Sequence, residues 1–346
     1  MRRIHISTKT IYFLLILFAI ATVLISIGIG PVNVPAQTVA KIIGSKIPFL
    51  NDYIIQDWTV LQENIVWGLR FPRVALGFVV GASLAVTGVT MQALVRNHLA
   101  DPFILGVSSG ASATATLGML FGTFSFLGVY SLSLSAFIGA AISITLVYTI
   151  SRVNGRIDIK QLLLSGVVIS MIMEAITKII TLSAPNALGL HNAQFWMSGS
   201  LAGAKWAYLT LPLIVIFISM TFLMVQHRAL NALLMGDDTA ATLGVNVSRM
   251  QKMLVLVASL LAGVTIAVSG SIGFVGLMVP HICRLLVGSD HKKVLPLCVI
   301  LGGILVVWTD VAARMLIAPE ELPIGVLTAL VGGPFFIWLL KRKSKE

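Results

Sequence analysis

The chain has 346 residues, 57% hydrophobic and only 11% charged, with a formal net charge of +11. A soluble globular domain carries about 25% charged residues, so that class is excluded; the apolar stretches are also too long and uniform for the alternating strands of a membrane barrel, which leaves an all-helical polytopic protein. The basic residues are dispersed between apolar stretches instead of gathered on one face, which argues against a nucleic-acid partner.

At about 20 apolar residues per crossing, spans are expected at 10–30, 72–94, 103–121, 132–151, 161–183, 208–226, 250–269, 275–287 (a short one), 295–316 and 323–340. With the N-terminus inside, Arg2, Arg3, Lys9, Arg96, Arg152, Arg156, Lys160, Arg228, Arg249, Lys252, Arg284, Lys292, Lys293, Lys341, Arg342, Lys343 and Lys345 fall on the cytoplasmic side. Only Lys41, Lys46, Arg70, Arg73, Lys178, Lys205 and Arg314 fall outside or in the outer leaflet. That asymmetry follows the positive-inside rule and favours ten spans with both termini cytoplasmic.

The first span resembles a signal peptide's apolar core, but Pro31-Val-Asn-Val-Pro35 offers no small-residue cleavage site, so it is expected to stay as an anchor. Residues 31–71 carry Asp52, Asp57 and Glu63 and read as an external loop with a short interfacial helix. No linker or low-complexity tract interrupts the chain, which reads as one membrane domain over 1–346. Gly77 and Gly81, Gly106 and Gly110, and Gly199 and Gly203 have the small-xxx-small spacing that lets helices approach closely.

Charged residues inside spans are functional candidates by default. Glu174 and Asp310 each have a basic residue four positions on, Lys178 and Arg314, and are expected to pair along their own helices. Glu174 also leaves open an ion-gradient-driven secondary transporter. His281 follows Pro280 at the expected turn of a short span with no second metal ligand near it, and His98 with Asp101 is equally isolated. Cys283 and Cys298 fall in or beside apolar segments and imply no disulfide framework. No Gly-x-x-x-x-Gly-Lys-Ser/Thr loop occurs, so energy from a nucleotide has to enter through another chain.

The most distinctive segment is a polar, helix-compatible insert at 229–245, flanked by Arg228 and Arg249 on the expected cytoplasmic side. Its placement suits presentation to a soluble partner. Gly236 is expected to turn the chain between two short helices and Gly244 to end the second. Arg70 and Arg73 sit where the positive-inside rule disfavours them; either an acidic partner or headgroup snorkelling accounts for that. Asn97-His-Leu-Ala-Asp-Pro102 breaks one span and starts the next.

Several motifs, in order, carry a resemblance: Arg70-Phe-Pro-Arg73, Arg96-Asn-His-Leu-Ala-Asp-Pro-Phe-Ile-Leu-Gly-Val-Ser-Ser-Gly110, Gly236-Asp-Asp-Thr-Ala-Ala-Thr-Leu-Gly-Val245 and Gly273-Phe-Val-Gly-Leu-Met-Val-Pro-His281. Glu321-Leu-Pro-Ile-Gly325 and Gly332-Gly-Pro-Phe-Phe336 extend it. From about residue 65 onward the chain resembles the iron-chelate and cobalamin importer permeases, the membrane subunits of type II ATP-binding-cassette importers.

The resemblance implies a ten-helix inverted-repeat permease, with spans two to five and seven to ten as the halves. It implies that Arg70, Arg73 and Arg314 dock an extracytoplasmic binding protein, and that Asn97 and Leu99 form the cytoplasmic gate, with His98 where the family often has Pro. It assigns Leu234, Gly236, Asp237, Asp238, Thr239, Ala240, Ala241, Leu243 and Gly244, within 228–248, to coupling with a cytoplasmic ATPase dimer. Glu174 and Trp196, Met197, Ser198 and Gly199 are placed in the pathway and outer gate, although Trp196 also suits an interfacial aromatic belt.

The expected function is import of a ferric siderophore, or else haem or cobalamin, across a bacterial cytoplasmic membrane with a second permease, identical or paralogous. The chain itself is expected to bind no metal or cofactor and not to be an enzyme; the partner ATPase uses ATP and Mg.

Overall fold

The computed structural model describes residues 8–153 and 156–343, so Arg2, Arg3 and Lys345, counted above as cytoplasmic charges, lie outside the described residues. In chain order the helices are α1 (Thr8–Gly28), α2 (Ala36–Ser45), α3 (Val60–Glu63), α4 (Phe71–Val95), α5 (Val107–Phe121), α6 (Ser131–Ile150), α7 (Ile159–Leu182), α8 (Ala187–Met197), α9 (Thr210–Val225), α10 (His227–Leu233), α11 (Asp237–Thr242), α12 (Val247–Ser269), α13 (Val275–Val287), α14 (His291–Met315) and α15 (Ile324–Lys343). Ten of them fall where spans are expected, and seven helical segments are long and apolar enough to cross a membrane. The described structure is helical apart from a two-residue antiparallel pairing, Arg152–Val153 with Arg156–Ile157, in the tight turn between α6 and α7.

Glycine sets the packing. α4 is almost wholly buried and crosses α14 and α13 with backbones in contact. A Cβ on Gly81 would lie 2.0 Å from the Gly302 carbonyl oxygen, and one on Gly88 would lie 1.9 Å from that of Gly276. The hydroxyls of Thr87 and Thr90 bond back to the carbonyls of Ser83 and Val86, which satisfies them in apolar surroundings. On the far side α5 and α6 cross at Gly110 and Gly139 in the same way.

Of the small-residue pairs expected from spacing, only Gly77 and Gly81 share one helix face. Gly106 (φ 72°) belongs to the break before α5, Gly199 (φ 82°) to the turn after α8, and Gly203 faces open space. Spacing alone cannot tell a helix face from a turn rich in small residues.

The two short helices α5 and α13 each follow a break in the bundle, a 3-10 turn over Pro102–Leu105 and the segment from Gly270 to Phe274. The hydroxyls of Ser108 and Ser271 meet at 2.8 Å, so the breaks lie at the same level. His281 is not at a turn as expected: Pro280 and His281 sit inside α13. Proline has no N–H, so the Gly276 carbonyl four residues earlier loses its helical donor. The side-chain amide of Gln92 on α4 replaces it at 3.3 Å.

The segment between α1 and α4 forms a small second core from Ile27, Val34, Val39, Ile42, Val66 and Val74, tied by the ion pairs Lys41–Asp57 and Lys46–Glu63. This agrees with the expected loop bearing a short helix.

Candidate functional site

α4 works as a ruler. Arg73 lies in its first turns and Arg96 just past its end, about 35 Å apart at 1.5 Å per residue. Functional side chains gather at both of its ends and in a cleft between them.

At the Arg73 end the three expected docking arginines have partners inside the chain. Arg70, 7% exposed, donates to the carbonyls of Ile27, Gly28 and Val32. Arg314, 4% exposed, donates to those of Ile29 and Ser26 and pairs with Asp310 at 3.1 Å. Ser26, Ile27 and Gly28 close α1, where the helix dipole favours positive charge, and Ile29 and Val32 lie in the turn that follows. A Cβ on Gly30 would collide with the Arg70 guanidinium, so the chain is glycine where Arg70 passes.

Arg73 binds Asp310 through Nε at 2.9 and 3.2 Å and grips Glu321 with a two-pronged fork, both prongs 2.9 Å. Arg70 and Arg314, both expected to dock a binding protein, are here held by backbone carbonyls around the end of α1 and, for Arg314, by Asp310. Arg73 keeps a partly exposed partner, since the Glu321 side chain is 32% exposed.

Asp310 is the shared anion of this cluster, its side chain 2% exposed. Asp310→Ala strips one carboxylate from two buried guanidiniums, and removing one partner of a buried pair costs about 3–5 kcal/mol. The detergent-solubilised variant is expected to melt well below the wild type. An unchanged melting curve would mean that Glu321 and the α1 carbonyls suffice.

Midway, α7 leaves most of its surface uncovered. Leu164, Val168, Met171, Ile172 and Ile179 are exposed, and so are Glu174 and Lys178. The expected Glu174–Lys178 ion pair is not among the pairs of the described residues, unlike Asp310–Arg314. Both charges instead line a cleft of about 380 Å³ with Ser108, Ser109, Ser112, Thr177, Gln194 and Ser271. The first N–H groups of α5 open here and favour oxygen-rich or anionic groups.

Met197 lines the same cleft, while Trp196 is 8% exposed. Gly199 belongs to a three-way backbone junction. Its carbonyl accepts from Ile324 N at 2.8 Å, a Cβ on it would lie 2.4 Å from Ser271 O, and one on Gly325 would lie 2.2 Å from Ser198 O. Trp196 is therefore packed inside and is not an exposed belt residue.

At the Arg96 end, α10 and α11 form the helical hairpin expected of the insert, turned at Gly236 (φ 109°) and closed at Gly244 (φ 84°). Leu230, Leu233 and Ala240 anchor it, while Met235 and Leu243 point outward at 69% and 64% exposure. Thr239 bonds within the hairpin, Leu234 closes α10, and Asp238, Ala241 and Gly244 are exposed on it. Arg96 Nη2 lies 3.2 Å from Asp237 Oδ2, which ties the hairpin to the end of α4. Asn97 and Leu99 follow, and Asn97 Oδ1 accepts from Leu99 N at 3.0 Å to shape the loop. Asn231 and the Lys292 N–H donate to Asp290 and hold its carboxyl below the usual range, so this cap on α14 is charged at neutral pH.

Sequence reading missed the pairs Gln92–Arg284 and Asn231–His291, and Glu321 as the partner of Arg73. The available signal was an amide or a charge in an otherwise apolar helix, which in a membrane asks for a named partner. Among the described residues no group of three or more His, Cys, Asp or Glu could hold a metal ion.

The model of the FecCD transport family matches residues 16–342. The hemin transport system permease protein HmuU of Yersinia pestis is 39% identical over 295 residues, covering 84% of this chain and 88% of the relative. The cobalamin import system permease protein BtuC of Halobacterium salinarum is 39% identical over 282 residues, covering 82% and 74%. A solved metal-chelate type ABC transporter in an inward-facing conformation superposes with a TM-score of 0.81 at 29% identity, covering 96% of this chain and 99% of that one.

Proposed function

The chain belongs to the FecCD transport family and is a permease subunit of an ABC importer, a transport component and not an enzyme; from that premise we propose that it encloses, with a second copy or a paralogue, a path for a ferric siderophore. The observation that carries this is the polar cleft on α7. Glu174 and Lys178 are exposed on a face that is otherwise apolar. Charges in a span are too costly to face lipid, so this face borders a hydrated path closed by another subunit. Its hydroxyl and amide lining offers hydrogen bonds to an oxygen-rich chelate. Haem and cobalamin are the second readings, each supported by a relative of 39% identity.

In this reading the α10–α11 hairpin is cytoplasmic, as are both termini, in a bacterial inner membrane. The hairpin seats in a dimeric ATPase that supplies the ATP and Mg chemistry, and Asn97 and Leu99 gate the cytoplasmic exit. An outer binding protein competes with Glu321 for Arg73, and the junction at Met197, Ser198 and Gly199 closes the outer mouth beside Trp196. The family assignment sets aside the ion-gradient alternative.

The test is affinity purification of the solubilised chain from its native membrane, followed by an ATPase assay. An ATPase subunit is expected to co-purify and to be lost when α10–α11 is replaced by a flexible linker. Repeated recovery of the intact chain without ATPase would overturn the proposal.

A further inference from the structure

A set of polar side chains, Gln92 and His291 buried and Asn231, Asp290 and Arg284 half-buried, lies where the hairpin, α14, α13 and α4 meet. Asn231 on α10 donates through Nδ2 to Asp290 Oδ1 at 2.9 Å. Its Oδ1 accepts from the His291 backbone N at 3.0 Å and from ring Nδ1 at 2.6 Å. An amide oxygen only accepts, so Nδ1 carries the ring proton and Nε2 is a bare acceptor. His291 is 1% exposed, and its Nε2 has no partner. Arg284 lies on α13, which packs against α14.

Arg284 donates through Nη1 to Gln92 Oε1 at 2.6 Å, while its Nε and Nη2 are buried without partners. Gln92 therefore grips α13 twice, at Arg284 and at the carbonyl that Pro280 leaves open. One turn later α4 ends in Arg96, held left-handed at φ 55°, whose partner Asp237 has an unpartnered buried Oδ1.

A buried donor or acceptor without a partner costs about 1–3 kcal/mol, so native structures rarely keep several together. Here Arg284 Nε and Nη2, His291 Nε2 and Asp237 Oδ1 are open at the ends of these links. A shift of α10 draws α14 through Asn231, and α13, packed on α14, is then pulled against the Gln92 grip on α4. That releases α13 from α4 just above the loop containing Asn97 and Leu99.

We infer that Asn231, His291, Arg284 and Gln92 are positioning residues that carry movement of the α10–α11 hairpin to the end of α4 and so to the gate loop. The inference rests on the importer reading.

The test uses the full complex of permease, ATPase and binding protein in proteoliposomes. ATP hydrolysis and uptake are measured together, with radio-iron ferric hydroxamate, haemin and cyanocobalamin each supplied. The double variant Gln92→Leu/Arg284→Met removes the Gln92–Arg284 pair and also leaves the Gly276 carbonyl without its donor, so a modest fall in melting temperature is expected. The readout is the ratio: ATPase activity is expected to persist while uptake per ATP falls about ten-fold, the scale of a typical coupling energy. Asn231→Ala, at the other end of the relay, should lower the ratio as well, and Arg284→Lys should restore part of it.

A purely structural role would move the melting temperature and leave the ratio alone. Uptake per ATP close to wild type in the double variant, or in Asn231→Ala should the double variant not fold, overturns the relay while the importer reading stands. A wild-type complex that moves none of the three cargoes overturns the importer reading and the relay with it.

Discussion

Gly88→Ala is expected to keep most of the chain from reaching its folded state. The new methyl carbon would start 1.9 Å from the Gly276 carbonyl oxygen, and both atoms belong to helix backbones that no rotamer change can move. Relief requires α4 and α13 to separate. That breaks the Gln92–Gly276 hydrogen bond and opens the packing beside Leu84 and Pro102, which both touch Gly276. Overpacking between backbones belongs with the largest single-residue effects, above about 4 kcal/mol. Detergent-extracted yield and the melting curve read it out, with Gly203→Ala, in open space, as the neutral control. A folded, wild-type-like Gly88→Ala protein would mean that the crossing is looser than described.

Gly244→Arg is expected to abolish uptake while the protein stays inserted and folded. Nothing lies within 4 Å of a Cβ at Gly244, so no core contact is disturbed. Its φ of 84° makes any side chain cost about 1–2 kcal/mol locally. The arginine would project beside exposed Leu243, on the face proposed to seat in the ATPase. Gly244→Ala carries the strain without the bulk, so it separates backbone cost from blocked contact and should keep most uptake. Membrane fractionation, co-purification of ATPase and cargo uptake are measured on all three proteins. Normal uptake by Gly244→Arg would remove this hairpin as the partner's seat.

The helices were legible because hydrophobic length is a strong signal, and the turns at Gly236 and Gly244 because glycine at a helix end has a single physical reading. The arginines were not. Sequence shows that the outer arginines are charges in an unfavoured place, which an acidic partner or headgroup snorkelling explains. Only the fold shows the backbone carbonyls around the end of α1 that Arg70 and Arg314 hold. Glu174 failed in the opposite direction: spacing offered Lys178, yet the side chains turn separately into a cleft. Gln92 stayed hidden because its partners lie 184 and 192 residues away. Spacing can nominate a partner along a helix; it cannot nominate one across a bundle.

The capping of α1 has a consequence for how the protein is made. The carbonyls around the end of α1 are synthesised well before the guanidiniums they accept from, which come 43 residues later at Arg70 and 285 residues later at Arg314. Arg70 can fasten the end of α1 as soon as α4 is made, but the Ser26 and Ile29 carbonyls wait for α14. A chain truncated before Arg314 would leave α1 inserted but only half latched.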